Sequence, residues 1–160
     1  MLDIIATFPF GRNFALLAKN YFGVLSKLLA DSEVERYYSI LILLDKSKEL
    51  CTQQFICEQL QIDKVSMVRM IDHLIKKGLV NRVRNEQDRR EYFIVPTAKS
   101  KKAMPELYAA VAQVNKAALK GISKAEQKIL FKNIELIQTN LSSLPSEIVY
   151  INYKKASKKV

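Results

Sequence analysis

The chain has few of the residues that build catalytic and metal centres. Its 160 residues include one histidine, two cysteines, four glycines and no tryptophan. No glycine-rich phosphate loop occurs, and His73 has no serine or cysteine nucleophile beside it in a recognisable motif. Cys51, Cys57 and His73 also lack the paired spacing of a zinc site. The composition therefore argues against an enzyme and predicts neither a metal nor a cofactor.

Long apolar runs are also missing. The longest, residues 40–44 and 107–112, contain five and six residues, whereas a membrane span needs ~18. The first residues include Asp3 and no basic region ahead of an apolar stretch, so no secretion signal is predicted. Cys51 and Cys57 would lie ~9 Å apart on one helix, too far for an unstrained disulfide. We therefore expect a cytoplasmic protein with no membrane partner.

Positive charge is in excess and is concentrated. The net charge is +10. Residues 64–102 contain eleven basic and four acidic residues, whereas residues 1–63 contain six basic and eight acidic ones. Such a local positive field suits a polyanion such as nucleic acid, whose binding releases counterions. Total charge alone is equally compatible with a solvated basic surface.

Hydrophobic periodicity predicts a mainly α chain. Asn13 can cap a first helix with an apolar stripe over residues 14–29, and residues 32–35 have the capping-box form that opens a second helix. Thr52 can cap a third, short helix, and Asp63 a fourth, which Gly78 ends.

A hairpin follows the fourth helix, with strands at about 80–85 and 91–96. Pro105 should kink the next helix or restart it. Gly121 ends that helix, and residues 123–126 form a second capping box for a last helix with an apolar stripe over residues 130–144. Three central helices followed by a two-stranded β-wing predict a winged helix-turn-helix, with the first and last helices as an outer layer.

Residues 52–97 resemble the MarR (multiple antibiotic resistance regulator) family of winged-helix transcription factors. The resemblance runs through ICEQLQIDKVSMVRMIDHLIKKGLVNRV and DRREYFIVPT. Val65 and Val68 replace small polar residues common in the family, Pro96 replaces a leucine, and Ser100 replaces a glycine. The resemblance implies one domain over residues 1–160, with a DNA-binding lobe at 33–102, dimerisation helices at 1–31 and 103–145, and a basic tail at 146–160.

The fourth helix is the predicted recognition helix. Met67, Ile71 and Leu74 fall on one face and should be buried. The opposite face suits a major groove, because arginine can bond both acceptors of a guanine and valine can touch a thymine methyl. Arg69 is the first choice for contacting a base. The candidates on this helix are Lys64, Val65, Ser66, Arg69 and His73.

The hairpin tip and the start of the third helix supply further candidates. By resemblance to the family, one wing arginine enters the minor groove while Asp88 orients it through a salt bridge, and Arg90 is favoured over Arg89. The alternative is an edge hairpin whose charged residues only keep it soluble. The predicted phosphate contacts are Arg82, Arg84, Thr52, Gln53 and Gln54.

One recognition helix buries too little surface for high specificity, so a homodimer on a pseudo-palindromic double-stranded operator is expected, with half-sites ~10 bp apart. The two apolar stripes, residues 14–29 and 130–144, are the predicted dimer surfaces. The resemblance also implies a small amphipathic or phenolic effector that binds in a cleft. Phe10, Phe14, Tyr37 and Tyr38 could line this cleft, although aromatic residues at helical spacing are more often core. The predicted function is a transcriptional regulator, most simply a repressor relieved by a ligand or an oxidant.

Two alternatives stay open. Thiol oxidation could distort the third helix and release DNA; Cys51, just before the helix cap, is the more reactive candidate, whereas Cys57 replaces a small buried alanine of the family and suits a structural role. A winged helix can also act as a protein–protein interaction module without specific DNA binding. Such a module needs neither a basic recognition face nor arginines at the wing tip, and this chain has both.

Overall fold

The computed structural model describes residues 9–32, 34, 37–88 and 90–147. Within these ranges the chain is mainly helical, with six helices and three strands. The elements in chain order are α1 (Gly11–Leu28), α2 (Tyr38–Lys46), β1 (Cys51–Thr52), α3 (Gln53–Leu60), α4 (Lys64–Lys76), β2 (Val80–Arg84), β3 (Tyr92–Pro96), α5 (Ala98–Ala118) and α6 (Lys124–Ser142). The predicted winged helix-turn-helix architecture is confirmed.

The predicted caps of α3, α4 and α6 are confirmed. The hydroxyl of Thr52 accepts a hydrogen bond from the Phe55 N–H at 3.1 Å, and the carboxylate of Asp63 accepts one from the Ser66 N–H at 2.8 Å. Ser123 and Glu126 form the reciprocal bonds of a capping box. Each of these side chains satisfies a backbone donor that the first helical turn leaves unpaired.

The starts of α1 and α2 differ from the predictions. Asn13 does not cap α1, because the helix already begins at Gly11 and the Asn13 N–H donates to the carbonyl of Phe10 at 2.9 Å. α2 begins at Tyr38, after Tyr37 adopts a left-handed conformation with φ 61°. A helix can begin only beyond such a residue. Glu33 and Glu35 of the predicted capping box lie outside the described residues.

α5 continues through Pro105 without a break, so this proline does not restart the helix. The side chain of Thr97 caps α5 by accepting from the Ser100 N–H at 3.3 Å. Its hydroxyl also donates to the carbonyl of Gly78 at 2.7 Å. This threonine therefore ties the start of α5 to the end of α4.

The sheet has three antiparallel strands in the order β1–β3–β2. β2 and β3 form the predicted hairpin, with Val80 opposite Pro96 and Arg84 opposite Tyr92. The third strand, β1, was not predicted; it pairs Cys51 with Ile94. Cys51 is therefore in a strand, and only Cys57 is on a helix.

The core lies among α2, α3, α4, the sheet and α5. Its largest fully buried side chains include Ile40, Leu41, Ile56, Met67, Ile71, Leu74, Ile94 and Leu107. α1 contributes Leu25 at its C-terminal end, whereas α6 has no buried residue. Within the ranges given above, no helix is long and apolar enough to cross a membrane. The fold thus leaves α6 and the first half of α1 uncovered.

Candidate nucleic-acid interface

The outward face of α4 is the one that the sequence predicts. Met67, Ile71 and Leu74 are fully buried, and Val65 and Arg69 on the opposite side are exposed. Hydrogen bonds from the backbone and side chain of Ser66 hold the pKa of Asp63 below its usual range, so the cap stays ionised near neutral pH. The cap and the buried face together fix which side chains α4 presents to solvent.

His73 lies at the edge of this face. Its side chain is half-buried, and its ring packs edge-on against Tyr37 with the centroids 5.3 Å apart. His73 is also in the C-terminal half of α4, away from the exposed N-terminal turns. The structure therefore places His73 against the segment before α2 and apart from Val65 and Arg69.

Asp72 and Arg82 connect α4 to the wing, defined here as β2, β3 and residues 85–91 between them. An Arg82 guanidinium nitrogen lies 2.8 Å from a carboxylate oxygen of Asp72, and both side chains are partly exposed. Arg82, predicted to meet a phosphate, is thus already paired within the chain. Sequence reasoning missed this ion pair, because it depends on how β2 lies beside α4.

Side-chain to backbone bonds shape the wing tip. The carboxylate of Asp88 accepts from the Arg90 N–H at 2.9 Å, and the side-chain oxygen of Asn85 accepts from the Gln87 N–H at 3.0 Å. Among the described residues, Asp88 and Arg90 form no side-chain ion pair. Asp88 therefore acts on the Arg90 backbone, and the salt bridge expected with Arg90 is not found. Arg89 lies outside the described residues.

Three exposed arginines remain available along α4 and the wing. Arg69, Arg84 and Arg90 form no ion pair with any carboxylate in the described part of the chain. They lie on α4, on β2 and at the wing tip, respectively. Their charges are therefore open to an external anion.

The start of α3 is less open than predicted. The hydroxyl of Thr52 accepts from the Phe55 N–H, and the amide of Gln54 donates to the carboxylate of Glu58 at 2.6 Å. Gln53 is half-buried. A phosphate here would have to take the Gln54 amide from Glu58.

The cysteines are buried and unpaired. Cys51 is 2% exposed and Cys57 7%. Burial raises the pKa of the Cys57 thiol, which lowers the fraction of reactive thiolate at neutral pH. The geometry therefore favours structural roles for both cysteines, including Cys51.

The aromatic residues considered for an effector site separate into two groups. Phe10 packs on Phe14 with centroids 5.9 Å apart, and Tyr38 packs near Phe22 at 6.3 Å. Phe14 and Phe22 are ~12 Å apart along α1, so these are two separate aromatic contacts. An open groove of about 450 Å³ lies elsewhere, where α5 meets α6, and is lined by Ala112, Asn115, Lys116, Leu119, Lys124 and Gln127.

Known proteins share this architecture. A family model described as MarR family matches residues 35–92. Transcriptional regulator PA3341, known from a crystal structure, is 25% identical in sequence to this chain. The match covers 85% of this chain and 100% of the PA3341 chain, with a TM-score of 0.75. A putative MarR family transcriptional regulator from Listeria monocytogenes, complexed with 26mer DNA, is 19% identical over 85% and 91% of the two chains, with a TM-score of 0.75.

CouR from Rhodococcus jostii RHA1, bound to p-coumaroyl-CoA, is 20% identical over 88% of this chain and 97% of its own, with a TM-score of 0.71. At such identities these likenesses concern the fold. The family match covers α2, β1, α3, α4, β2 and the turn up to the start of β3, and these elements carry the candidate interface. Together, these comparisons show a MarR family match over residues 35–92 and a winged-helix fold shared with solved MarR family regulators.

Proposed function

We propose that the chain is a homodimeric, sequence-specific double-stranded DNA-binding transcriptional regulator that acts as a repressor. One observation carries the proposal: α4 presents the exposed Arg69 beside a wing whose Arg84 and Arg90 form no ion pair in the described residues. A helix of this kind fits a major groove, and a neighbouring basic hairpin reaches the backbone or the minor groove.

The Asp72–Arg82 pair supports the same function. It joins α4 to β2 at 2.8 Å and thus adds a contact between the two elements proposed to face DNA. It also neutralises a carboxylate that would repel phosphates. Rigid supporting contacts of this kind help a binding surface keep its geometry before the ligand arrives.

Dimerisation is proposed from the uncovered apolar residues of the outer helices. α6 buries none of its residues within the chain, and large apolar side chains of both helices face solvent. They are Phe10, Phe14, Leu16, Leu17, Val24 and Leu28 on or next to α1, and Ile129, Leu130, Phe131, Leu136 and Leu141 on α6. Exposed patches of this extent mark association surfaces. A second copy would provide the two-fold symmetry that a pseudo-palindromic operator requires.

We also propose that an effector lowers the affinity for DNA, without assigning its binding site. Its support is the likeness to CouR, which binds p-coumaroyl-CoA. Because Phe10 and Phe14 are separated from Tyr37 and Tyr38, we propose no single aromatic cleft. Relief by an oxidant has less support, since both cysteines are buried.

The deciding experiment is a selection of bound sequences from random duplex DNA at ~150 mM salt, followed by a salt titration on the selected duplex. We expect a two-fold symmetric motif of ~15–20 bp with half-sites about one turn apart. The matched control is the Arg69→Ala/Arg90→Ala double variant, which should lose the motif and keep its helical circular dichroism. Weak, steeply salt-dependent binding without any motif would instead favour the protein–protein interaction module.

A further inference from the structure

The outward face of α4 carries two exposed valines where a solvated helix would usually carry polar side chains. Val65 is 63% exposed and Val68 is 41% exposed. Both are β-branched and form helices less readily than alanine. Neither packs against the hydrophobic core of the described residues. The fold itself therefore gives no reason for valine at these positions.

The surface around these valines is basic. Val68 and Asp72 lie on the same side of α4, and Arg82 already neutralises Asp72 at 2.8 Å. Lys64 and Arg69 are the neighbouring basic residues on α4, and the wing beside α4 carries the exposed Arg84 and Arg90. An apolar patch within a positive field matches a DNA major groove, where thymine methyl groups lie between rows of phosphates. An apolar protein partner would not by itself require the surrounding positive charge.

We propose that Val65 and Val68 contact the C5-methyl groups of thymines, so that each operator half-site has thymines at two neighbouring base pairs next to the base that Arg69 contacts. The proposal rests on the proposed DNA-binding function and names the bases that it prefers. Three residues advance ~4.5 Å along a helix axis, close to the ~3.4 Å between successive bases of one strand. The two valines can therefore reach adjacent steps.

Valine gives this contact a specific selectivity. It has no hydrogen-bonding atom, so it cannot distinguish bases through their donors and acceptors, but its branched side chain can cover a methyl group. Cytosine lacks that methyl group and presents an amino group instead. Thymine should therefore be preferred over both cytosine and uracil at the contacted positions.

The test replaces each thymine of the selected operator, one at a time, by deoxyuridine, which lacks only the C5-methyl group. Dissociation constants are measured at ~150 mM salt for the wild type and for Val65→Ala, Val68→Ala and Lys76→Ala. We expect the wild type to lose about fourfold in affinity per contacted methyl, the size that burial of one CH₂ group predicts. Each alanine variant of a valine should show a smaller thymine preference at its own position, because the shorter side chain covers less of the methyl group.

Lys76→Ala is the matched control, because Lys76 is exposed on the same helix but is charged. This variant should weaken binding to both duplexes by the same factor and keep the thymine preference. A wild type that binds a clear motif but tolerates uracil everywhere would overturn the inference and leave the proposed function intact. A thymine preference that is undiminished in both valine variants would also overturn it. Absence of any motif would refute the proposed function, and the inference with it.

Discussion

The guanidinium of Arg82 on β2 lies 2.8 Å from the carboxylate of Asp72 on α4. The pair joins α4 to the wing. The side chain of Arg82 is 33% exposed and that of Asp72 is 54% exposed. Water screens a pair of this exposure, so it adds at most ~1 kcal/mol to the free energy of unfolding. In the proposed DNA complex its main consequence is for binding, because it joins the wing to α4 and neutralises a carboxylate beside the proposed interface.

Arg82→Ala should therefore weaken operator binding clearly while changing the free energy of unfolding by less than ~1 kcal/mol. The unpaired Asp72 carboxylate would repel nearby phosphates. Asp72→Ala/Arg82→Ala should recover part of the lost affinity, because it removes the repelling charge as well. Urea unfolding and fluorescence anisotropy would measure the two effects. If the double variant binds as weakly as Arg82→Ala, repulsion by Asp72 does not cause the loss.

Arg69→Ala and Arg90→Ala should affect binding in different ways. The first should cost ~1–3 kcal/mol on the preferred operator and relax specificity at one base position, because it removes a base contact. The second should lower the slope of log K against log salt by about 1, because it removes a backbone or minor-groove charge.

The control for this pair is Arg12→Ala, an exposed arginine on α1, which should leave specificity and salt slope unchanged. Repeating the sequence selection with each variant measures specificity, and anisotropy titrations measure the slope. An unchanged slope and affinity for Arg90→Ala would show that the wing does not contact DNA.

Phe131→Glu on α6 should convert the proposed dimer into a monomer without unfolding it, because α6 has no buried residue in the described part of the chain. Operator affinity should fall at least ~10-fold, since only one half-site is then bound at a time. Sedimentation velocity and circular dichroism would separate dissociation from unfolding. The control is Leu50→Glu, which places the same charge on an exposed apolar residue outside α1 and α6. A dimeric Phe131→Glu protein would move the interface elsewhere.

Gly78→Ala should destabilise the protein by about 1 kcal/mol, because Gly78 has φ +70°, which an L side chain rarely adopts. The added Cβ would meet only the Lys99 side chain, at 3.9 Å, so the cost comes from the backbone conformation. Gly23→Ala, inside α1 with no atom within 4 Å, should instead stabilise by ~0.5–1 kcal/mol. Urea unfolding measures both. Equal effects of the two substitutions would contradict this explanation.

Tyr108 should make stability fall at alkaline pH. Its hydroxyl donates to Asp45 at 2.5 Å, and burial, together with that carboxylate, raises its pKa from 10.0 to about 12. The unfolded chain therefore loses this proton first, so the contribution of Tyr108 is complete below pH 10 and is lost as pH rises towards 12. Unfolding of the wild type and of Tyr108→Phe across that range should show a steeper decline in the wild type. Parallel curves would contradict the raised pKa.

The sequence by itself determined the features that depend on neighbours three or four residues away. The caps at Thr52, Asp63 and Ser123 were predicted correctly, because the side chain and the N–H that it accepts from are three residues apart. The buried face of α4 was predicted for the same reason, since helical periodicity places Met67 and Ile71 together. Much of the candidate interface is local in this sense.

Only the tertiary structure decided the contacts between distant segments. β1 has two residues, too few to show a period, and forms because Cys51 meets Ile94 across the sheet. Asp72 and Arg82 pair, and Tyr37 packs on His73, because separate elements come together in the fold. Such contacts depend on the relative placement of whole elements, which periodicity within one helix or strand does not encode. The sequence therefore determined which face of α4 points outward. The fold determined how α4 connects to the wing and to the segment before α2.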